Sequence, residues 1–239
     1  MLAGRRAYDT DAWNEFNPRY EALSMKRPPF PTLALAAMAC LFAVPAAAQG
    51  SSPERQSKTV YVAQLHPMNA KVTGLKTSGE ARFTVQGDKL TISVNVKGAA
   101  PGITHWQHFH GFKDNRDATC ATQGVDKNRD GIVDLIETEP ASGTTMVPFI
   151  DDPVSMNVGE GTYPKASAAG TYEYQRTVSL EALSAAFGKA FDGSKLDLDR
   201  RVVLIHGTPN SLPASVASLG PIPAQVTLPI GCGTIERAS

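Results

Sequence analysis

The chain has 239 residues, and its 23 lysines and arginines balance 23 aspartates and glutamates, giving a formal net charge of zero. Such a balance provides no basic surface for nucleic acid or for an anionic membrane, so we expect neither partner. The hydrophobic fraction of 42% is that of an ordinary globular protein.

The first segment with a recognisable role begins at Met25. A basic start leads into an apolar run at 33–44 that is too short to span a bilayer, followed by small residues up to Ala48. This order is typical of a secretory signal peptide, with an uncleaved signal anchor as the alternative. We expect residues 25–48 to be the signal peptide, residues 1–24 an extension from an early start codon, and the mature protein to be periplasmic or secreted.

The mature chain predicts a single domain. Residues 49–59 are polar and predict a flexible linker, and residues 60–236 predict a β-rich domain. Clusters of β-forming residues separated by glycine turns predict early strands at 60–65, 71–75, 81–86 and 89–96.

Three histidines follow in a His-x-x-His-x-His pattern. On a strand, His108 and His110 share one face and His105 points to the other, so only the first two can converge on one metal ion. A third ligand must come from elsewhere, and His206 ends an apolar strand at 201–206. Three imidazoles favour copper or zinc over calcium or magnesium. The alternative is that these histidines are ordinary polar strand residues.

The next segment, 126–137, has the spacing of an EF-hand calcium loop. Hard oxygen donors recur at alternate positions, a glycine stands at the sharp bend and a glutamate closes the loop, as Ca²⁺ requires. The upstream residues lack the apolar stripe of a helix, so we predict one calcium loop inserted into another fold, with a polar turn as the alternative. The predicted ligands are Asp126, Asn128, Asp130, the carbonyl of Ile132, Asp134 and Glu137.

The remaining elements continue the β pattern. Residues 138–170 predict a long loop with short extended stretches, and 172–178 a strand. Ser179 predicts the cap of a short helix at 180–187. A last strand is predicted at 224–230. Evenly spaced short strands without alternating helices predict an antiparallel sandwich or barrel.

Signal cleavage would leave two of the three cysteines, Cys120 and Cys232. In an oxidising compartment we expect these two to form a disulfide, and two buried free thiols are the alternative.

These motifs occur in an order that resembles the Cu/Zn superoxide dismutase family along most of the mature chain. The similarity is carried by the strand and turns at 87–98, the His-Trp-Gln-His-Phe-His-Gly-Phe segment at 105–112, Cys120, the strand at 201–206 and the Gly-Cys-Gly-Thr-Ile segment at 231–235.

The resemblance implies a Greek-key β-barrel in which His108, His110 and His206 bind copper. It also implies that Cys120 pairs with Cys232 and that His105 is a structural histidine bracing the backbone near the metal.

The sequence also departs from that family. No histidine lies between Cys120 and His206, so the bridging histidine and the zinc-site histidines are absent and zinc is not expected. The calcium loop occupies the place of the zinc loop. Pro229 stands where the family has the arginine that guides superoxide.

The sequence therefore predicts an exported protein with a superoxide dismutase-like domain that binds copper and calcium. The first alternative is an active copper-only superoxide dismutase, with superoxide as its substrate. The second is a non-catalytic secreted β-sandwich stabilised by calcium alone. His66 could supply a further ligand, but it precedes a proline at a strand end, where solvent exposure is expected.

Overall fold

A computed structural model describes residues 57–159 and 161–238. The predicted signal peptide and N-terminal extension lie outside these described residues. The predicted all-β class is confirmed, because eight strands form one sheet in which every neighbouring pair is antiparallel. The strands are β1 (Lys58–Pro67), β2 (Ser78–Gln86), β3 (Lys89–Lys97), β4 (Gln107–Gly111), β5 (Thr144–Pro148), β6 (Tyr172–Ser179), β7 (Val202–His206) and β8 (Pro229–Arg237).

The strand order is β5-β4-β7-β8-β1-β2-β3-β6, so the two edge strands are β5 and β6. Side chains connect these two edges, which means that the sheet curls into a half-barrel. The Tyr174 hydroxyl on β6 donates a hydrogen bond of 2.8 Å to the carbonyl of Ile150, just beyond β5. The Tyr174 ring also stacks on Phe149, with ring centroids 6.1 Å apart. The pairing of β4 with β7, which are distant in sequence, is the feature that positions the histidines.

The core lies inside the curl and follows the two-residue period of the strands. On β3, alternate residues from Leu90 to Val96 are buried. Three phenylalanines, Phe83, Phe109 and Phe149, pack together with centroid separations of 5.0 to 6.0 Å. Burial of each such ring stabilises the fold by roughly 1.5–3 kcal/mol. Phe109 thus holds β4 against the core while its neighbours on either side face the opposite way.

Within the described residues, four short α-helices interrupt the strands: α1 (Ala70–Thr73), α2 (Leu135–Ser142), α3 (Leu180–Ala190) and α4 (Ala224–Thr227). The predicted helix after Ser179 is confirmed as α3, and the Ser179 side chain accepts a hydrogen bond from the amide of Ala182. No helix in the described part of the chain is long and apolar enough to cross a membrane.

The predicted strand at 71–75 is wrong, because this segment forms α1. The β-branched residues Val72 and Thr73 favour a strand, but the flanking residues override them. Asn69 (φ 51°) and Gly74 (φ 71°) both adopt the left-handed conformation, which reverses the chain direction at each end of a single helical turn.

Two further segments differ from the sequence prediction. The loop predicted at 138–170 begins with the end of α2, which was not expected, whereas its extended stretch at 144–148 is the edge strand β5, paired with β4. The strand predicted at 224–230 starts five residues later, at Pro229, because 224–227 form α4. Pro229 is tolerated because it pairs with His206 at a register shift between β7 and β8, where a regular ladder bond is not needed.

Candidate metal centre

The antiparallel pairing of β4 with β7 brings three histidines together. His108 and His110 lie on one face of β4, and His206 is the last residue of β7. The amide of His206 donates a 2.8 Å hydrogen bond to the carbonyl of Trp106, which fixes the end of β7 beside the start of β4. Centroids of the His108 and His206 rings are 4.8 Å apart, those of His108 and His110 5.3 Å, and those of His110 and His206 5.7 Å.

The three rings are close enough together to hold one metal ion through three nitrogen atoms. One ring nitrogen from each histidine lies within 4.8 Å of the others, and the residues are only 3%, 1% and 1% exposed. Both ring nitrogens of His108 and Nε2 of His206 are buried without a hydrogen-bond partner. Buried polar atoms normally have a partner, so three such atoms at one place indicate a site for a bound species.

Hydrogen bonds to backbone carbonyls set the tautomers of two of the rings. Nδ1 of His206 lies 2.7 Å from the carbonyl oxygen of Thr227, so Nδ1 carries the hydrogen and Nε2 keeps a free lone pair. Nδ1 of His110 lies 3.3 Å from the carbonyl of Gly143, and its Nε2 is 3.1 Å from the hydroxyl of Thr145. In His206 the lone pair at Nε2 is therefore free for a metal ion, whereas in His110 it accepts the hydrogen bond from Thr145, which a bound ion would displace.

Burial keeps the three imidazoles neutral. Loss of hydration lowers the pKa of His110 to about 3, with the nearby His206 adding to the effect, and lowers the pKa of His206 to about 4. The pKa of His108 is also well below its usual value, first because of burial and then because of the other two imidazoles. Neutral imidazole is the form that coordinates metals, so these side chains are ready to act as ligands at neutral pH.

His105 lies behind the site and contacts the backbone. Nδ1 is 2.9 Å from the carbonyl oxygen of His206, and Nε2 is 2.9 Å from that of Ala100. The fully buried ring also stacks on Tyr172, with centroids 5.6 Å apart. His105 therefore contacts the backbone at His206 and is outside the three-histidine group, and its bracing role stays a prediction.

Cys120 and Cys232 form a disulfide with a Cα–Cα separation of 5.8 Å, as predicted. Cys232 is on β8, where it pairs with Leu204 of β7 and with His66 of β1. The bond therefore ties the segment that leads into the 126–137 loop to the centre of the sheet.

The 126–137 loop wraps its oxygen-bearing side chains around its own backbone amides. The Asp126 carboxylate accepts hydrogen bonds from the amides of Arg129 (2.7 Å) and Gly131 (2.9 Å). The Asp130 carboxylate accepts one from the amide of Ile132 at 2.8 Å. Gly131 has a φ of 83°, so the predicted sharp bend occurs at this glycine.

The closing residues of the loop are more deeply buried. Glu137 lies in α2 and accepts a 2.9 Å hydrogen bond from the amide of Lys127 at the other end of the loop. Asp134 caps α2 through the amide of Glu137 (2.9 Å) and also accepts from the amide of Ala217 (2.8 Å). Within 57–159 and 161–238, these carboxylates do not form a cluster comparable with the three histidines, which are the only such group found.

The side chain of Asn69 hydrogen-bonds the loop to the sheet. Its Nδ2 donates to the carbonyls of Val133 and Pro229, both at 2.9 Å, and its Oδ1 accepts from the amide of Val133 at 2.9 Å. Pro229 also pairs with His206, so the backbone at Pro229 contacts both the anchor of the loop and the metal centre. The sequence did not identify Asn69, although an asparagine at a helix boundary is a signal for the left-handed conformation.

His66, the fifth histidine, is exposed on β1 and does not belong to the three-histidine group.

Two functional contacts were missed by the sequence analysis. The carbonyls of Thr227 and Gly143 orient two of the rings, but backbone acceptors carry no signature in a sequence.

Comparison with known proteins adds no assignment, since the chain matches no protein-family model and no curated protein.

Proposed function

We propose that this chain is an exported metal-binding protein with a superoxide dismutase-like domain, which binds copper through His108, His110 and His206. The observation that carries the proposal is the convergence of three buried, neutral imidazoles with three unpartnered nitrogen atoms. An all-imidazole ligand set with no carboxylate or thiolate suits copper far better than calcium or magnesium. The absence of the zinc-site histidines from the sequence favours a copper-only centre.

The side chains around the site support a role in holding such an ion. Thr227 and Gly143 accept hydrogen bonds from the nitrogens of His206 and His110 that face away from the centre, an arrangement that fixes ring orientation in metal sites. His105 supports the backbone of His206 from the other side. Copper held in such a site supplies one-electron chemistry through Cu(II) and Cu(I).

An active copper-only superoxide dismutase is the alternative function, and two observations speak against efficient turnover. All three histidines are buried, which limits the approach of an anion. The partner of His206 on β8 is Pro229, where the family resemblance leads us to expect a guiding arginine. A cation near the site accelerates capture of an anion, and its loss slows that step. We therefore favour binding over dismutation.

We further propose that the 126–137 loop binds calcium. Its oxygen donors have EF-hand spacing, its glycine bend has the required positive φ, and its last carboxylate, Glu137, is hydrogen-bonded to the amide of Lys127 at the start of the loop. A bound calcium ion would take the place of the backbone amides as the partner of the loop carboxylates, or share the carboxylates with the amides. Calcium bound here would stabilise the long connection between β4 and β5.

Export of the protein is the third part of the proposal. The signal-peptide pattern at 25–48 and the Cys120–Cys232 disulfide both support an oxidising compartment, periplasmic or extracellular. The remaining alternative, a secreted β-sandwich stabilised by calcium alone, would leave three buried imidazole nitrogens without a function.

Copper titration of the full-length protein tests the main proposal. The expected result is one Cu²⁺ bound per chain, with nitrogen coordination visible in the electron paramagnetic resonance spectrum. Pulse radiolysis of the loaded protein then separates the alternatives, because an unchanged superoxide decay selects the binding protein and an accelerated decay selects the dismutase. Absence of nitrogen-coordinated copper would overturn both. Calorimetric titration with Ca²⁺ tests the loop independently.

A further inference from the structure

Two aromatic side chains cover the His108 side of the metal centre. The indole of Trp106 stacks on the ring of Tyr163, with centroids 5.2 Å apart and planes inclined by 20°. Both rings meet the His108 imidazole edge to face, at centroid distances of 6.4 Å for Trp106 and 5.9 Å for Tyr163. We refer to Trp106 and Tyr163 as the aromatic cap.

The cap is fixed on both sides. Trp106 precedes β4, and its carbonyl accepts the hydrogen bond from the amide of His206. The Tyr163 hydroxyl donates a 2.9 Å hydrogen bond to the carbonyl of Val158. The backbone after Tyr163 is held as well, because the carbonyl of Pro164 accepts a 2.9 Å hydrogen bond from the amide of His105.

Neither ring offers a ligand atom or hydrogen bond to His108, both of whose nitrogens are buried and unpartnered. The cap therefore shields His108 from water but gives its ring nitrogens no hydrogen-bond partner. The three histidines of the metal centre are only 1–3% exposed. Access to the centre therefore requires movement of the side chains that cover it.

We propose that the aromatic cap determines access to the metal centre, slowing both the exchange of the bound ion and the entry of metal-coordinating anions. The inference rests on the proposed copper site and goes beyond it by assigning a function to Trp106 and Tyr163. A stacked pair held by hydrogen bonds must separate before a chelator or an anion can reach the ion, and such gating motions set exchange rates without changing the ligands.

The test uses the full-length protein loaded with one Cu²⁺ and compares it with Tyr163→Ala and Trp106→Ala. Two quantities are measured. The first is the rate at which copper is released to EDTA, and the second is the affinity for azide, monitored by electron paramagnetic resonance. We expect copper release to accelerate at least about tenfold in both variants and azide to bind more tightly than in the parent protein. The nitrogen signature of the azide-free spectrum should remain, because no ligand is removed.

Tyr163→Leu is a second variant that removes the aromatic ring but keeps most of the buried volume, so it is less prone to unfold than Tyr163→Ala. Circular dichroism checks that each variant is folded. Tyr61→Leu, at a half-buried tyrosine of β1, is the matched control and should release copper at the parental rate. If the folded variants bind copper but release it and bind azide as the parent does, the cap does not control access. If the parent protein itself binds no copper, the metal site and the cap proposal both fail.

Discussion

The imidazole of His206 donates a hydrogen bond through Nδ1 to the carbonyl oxygen of Thr227 at a distance of 2.7 Å. The two residues belong to different elements, since His206 ends β7 and Thr227 ends α4. The bond leaves Nε2 of His206 unprotonated and directed into the group formed with His108 and His110. The orientation of one proposed metal ligand therefore depends on a short helix that is not itself part of the three-histidine group.

His206→Ala should weaken copper binding by at least about 100-fold, because the change removes one of three nitrogen ligands, and even loss of an orienting hydrogen bond costs 10–100-fold in metal sites. Isothermal titration calorimetry with a competing chelator measures the change. His66→Ala is the matched control, since His66 is exposed and lies outside the group. Equal affinities of the parent and His206→Ala would refute the ligand assignment.

Acidification should destabilise the metal-free protein. Burial lowers the pKa of His206 to about 4 and that of His110 to about 3, from an ordinary value of 6.5. Above pH 6.5 these rings are neutral in both the folded and the unfolded protein. As the pH falls below 6.5 the unfolded chain binds protons that the folded protein does not, so the free energy of unfolding decreases by on the order of 2 kcal/mol per histidine at pH 5.

Urea denaturation between pH 7.5 and 5 measures this effect, and His206→Gln serves as the comparison because it removes one of the titrating groups. The slope of stability against pH should be smaller in the variant than in the parent. Parallel slopes would show that His206 is not held neutral by the fold.

The sequence anticipated the three-histidine group better than the residues that surround it. Alternation on a strand places His108 and His110 on one face, and the apolar strand ending at His206 is evident from composition. The pairing of β4 with β7 is a long-range contact, and only the family resemblance suggested it. Thr227 acts through its carbonyl, and Tyr163 reaches the site from a loop. Neither position has a local pattern that indicates its role.

The errors in the fold prediction have a related cause. The α1 segment contains β-branched residues, so local propensity favours a strand, but Asn69 is anchored by three hydrogen bonds to Val133 and Pro229. These contacts join segments 64 and 160 residues away in sequence. Tertiary contacts of this kind override propensity and cannot be inferred from a window of neighbouring residues.

Glu137→Gln should abolish stabilisation by calcium. A bidentate glutamate at the last loop position closes the calcium shell, and a neutral amide there is a much poorer ligand. At a calcium concentration about 100 times the dissociation constant, the parent protein should gain about 2.7 kcal/mol, which the variant should lack. Thermal unfolding with Ca²⁺ and with EGTA measures the gain. Glu139→Gln, two residues further along α2 and exposed, should respond to calcium as the parent does.

Replacement of both disulfide cysteines, Cys120→Ser with Cys232→Ser, should destabilise the protein by about 2–5 kcal/mol. The bond closes a loop with a sequence separation of 112 residues, and its removal restores conformational freedom to the unfolded chain. Chemical denaturation of the oxidised parent and the double variant, both without metal, provides the comparison. A thiol assay on the denatured, unreduced parent should detect neither Cys120 nor Cys232, and detection of either would contradict the bond.

Asn69→Ala should destabilise the protein through two separable effects. The side chain makes three hydrogen bonds of 2.9 Å, and the backbone has a φ of 51°, a conformation unfavourable for alanine. Asn69→Gly removes the same hydrogen bonds but adopts positive φ readily. We therefore expect Asn69→Gly to be the more stable variant by about 1 kcal/mol. Both variants should be less stable than the parent because the polar groups of Val133 and Pro229 lose their partner.

Denaturant unfolding of the three proteins measures the two contributions. Equal stability of the parent and Asn69→Gly would mean that solvent replaces the anchor at no cost, and the 126–137 loop would then be attached to the sheet by its apolar contacts alone.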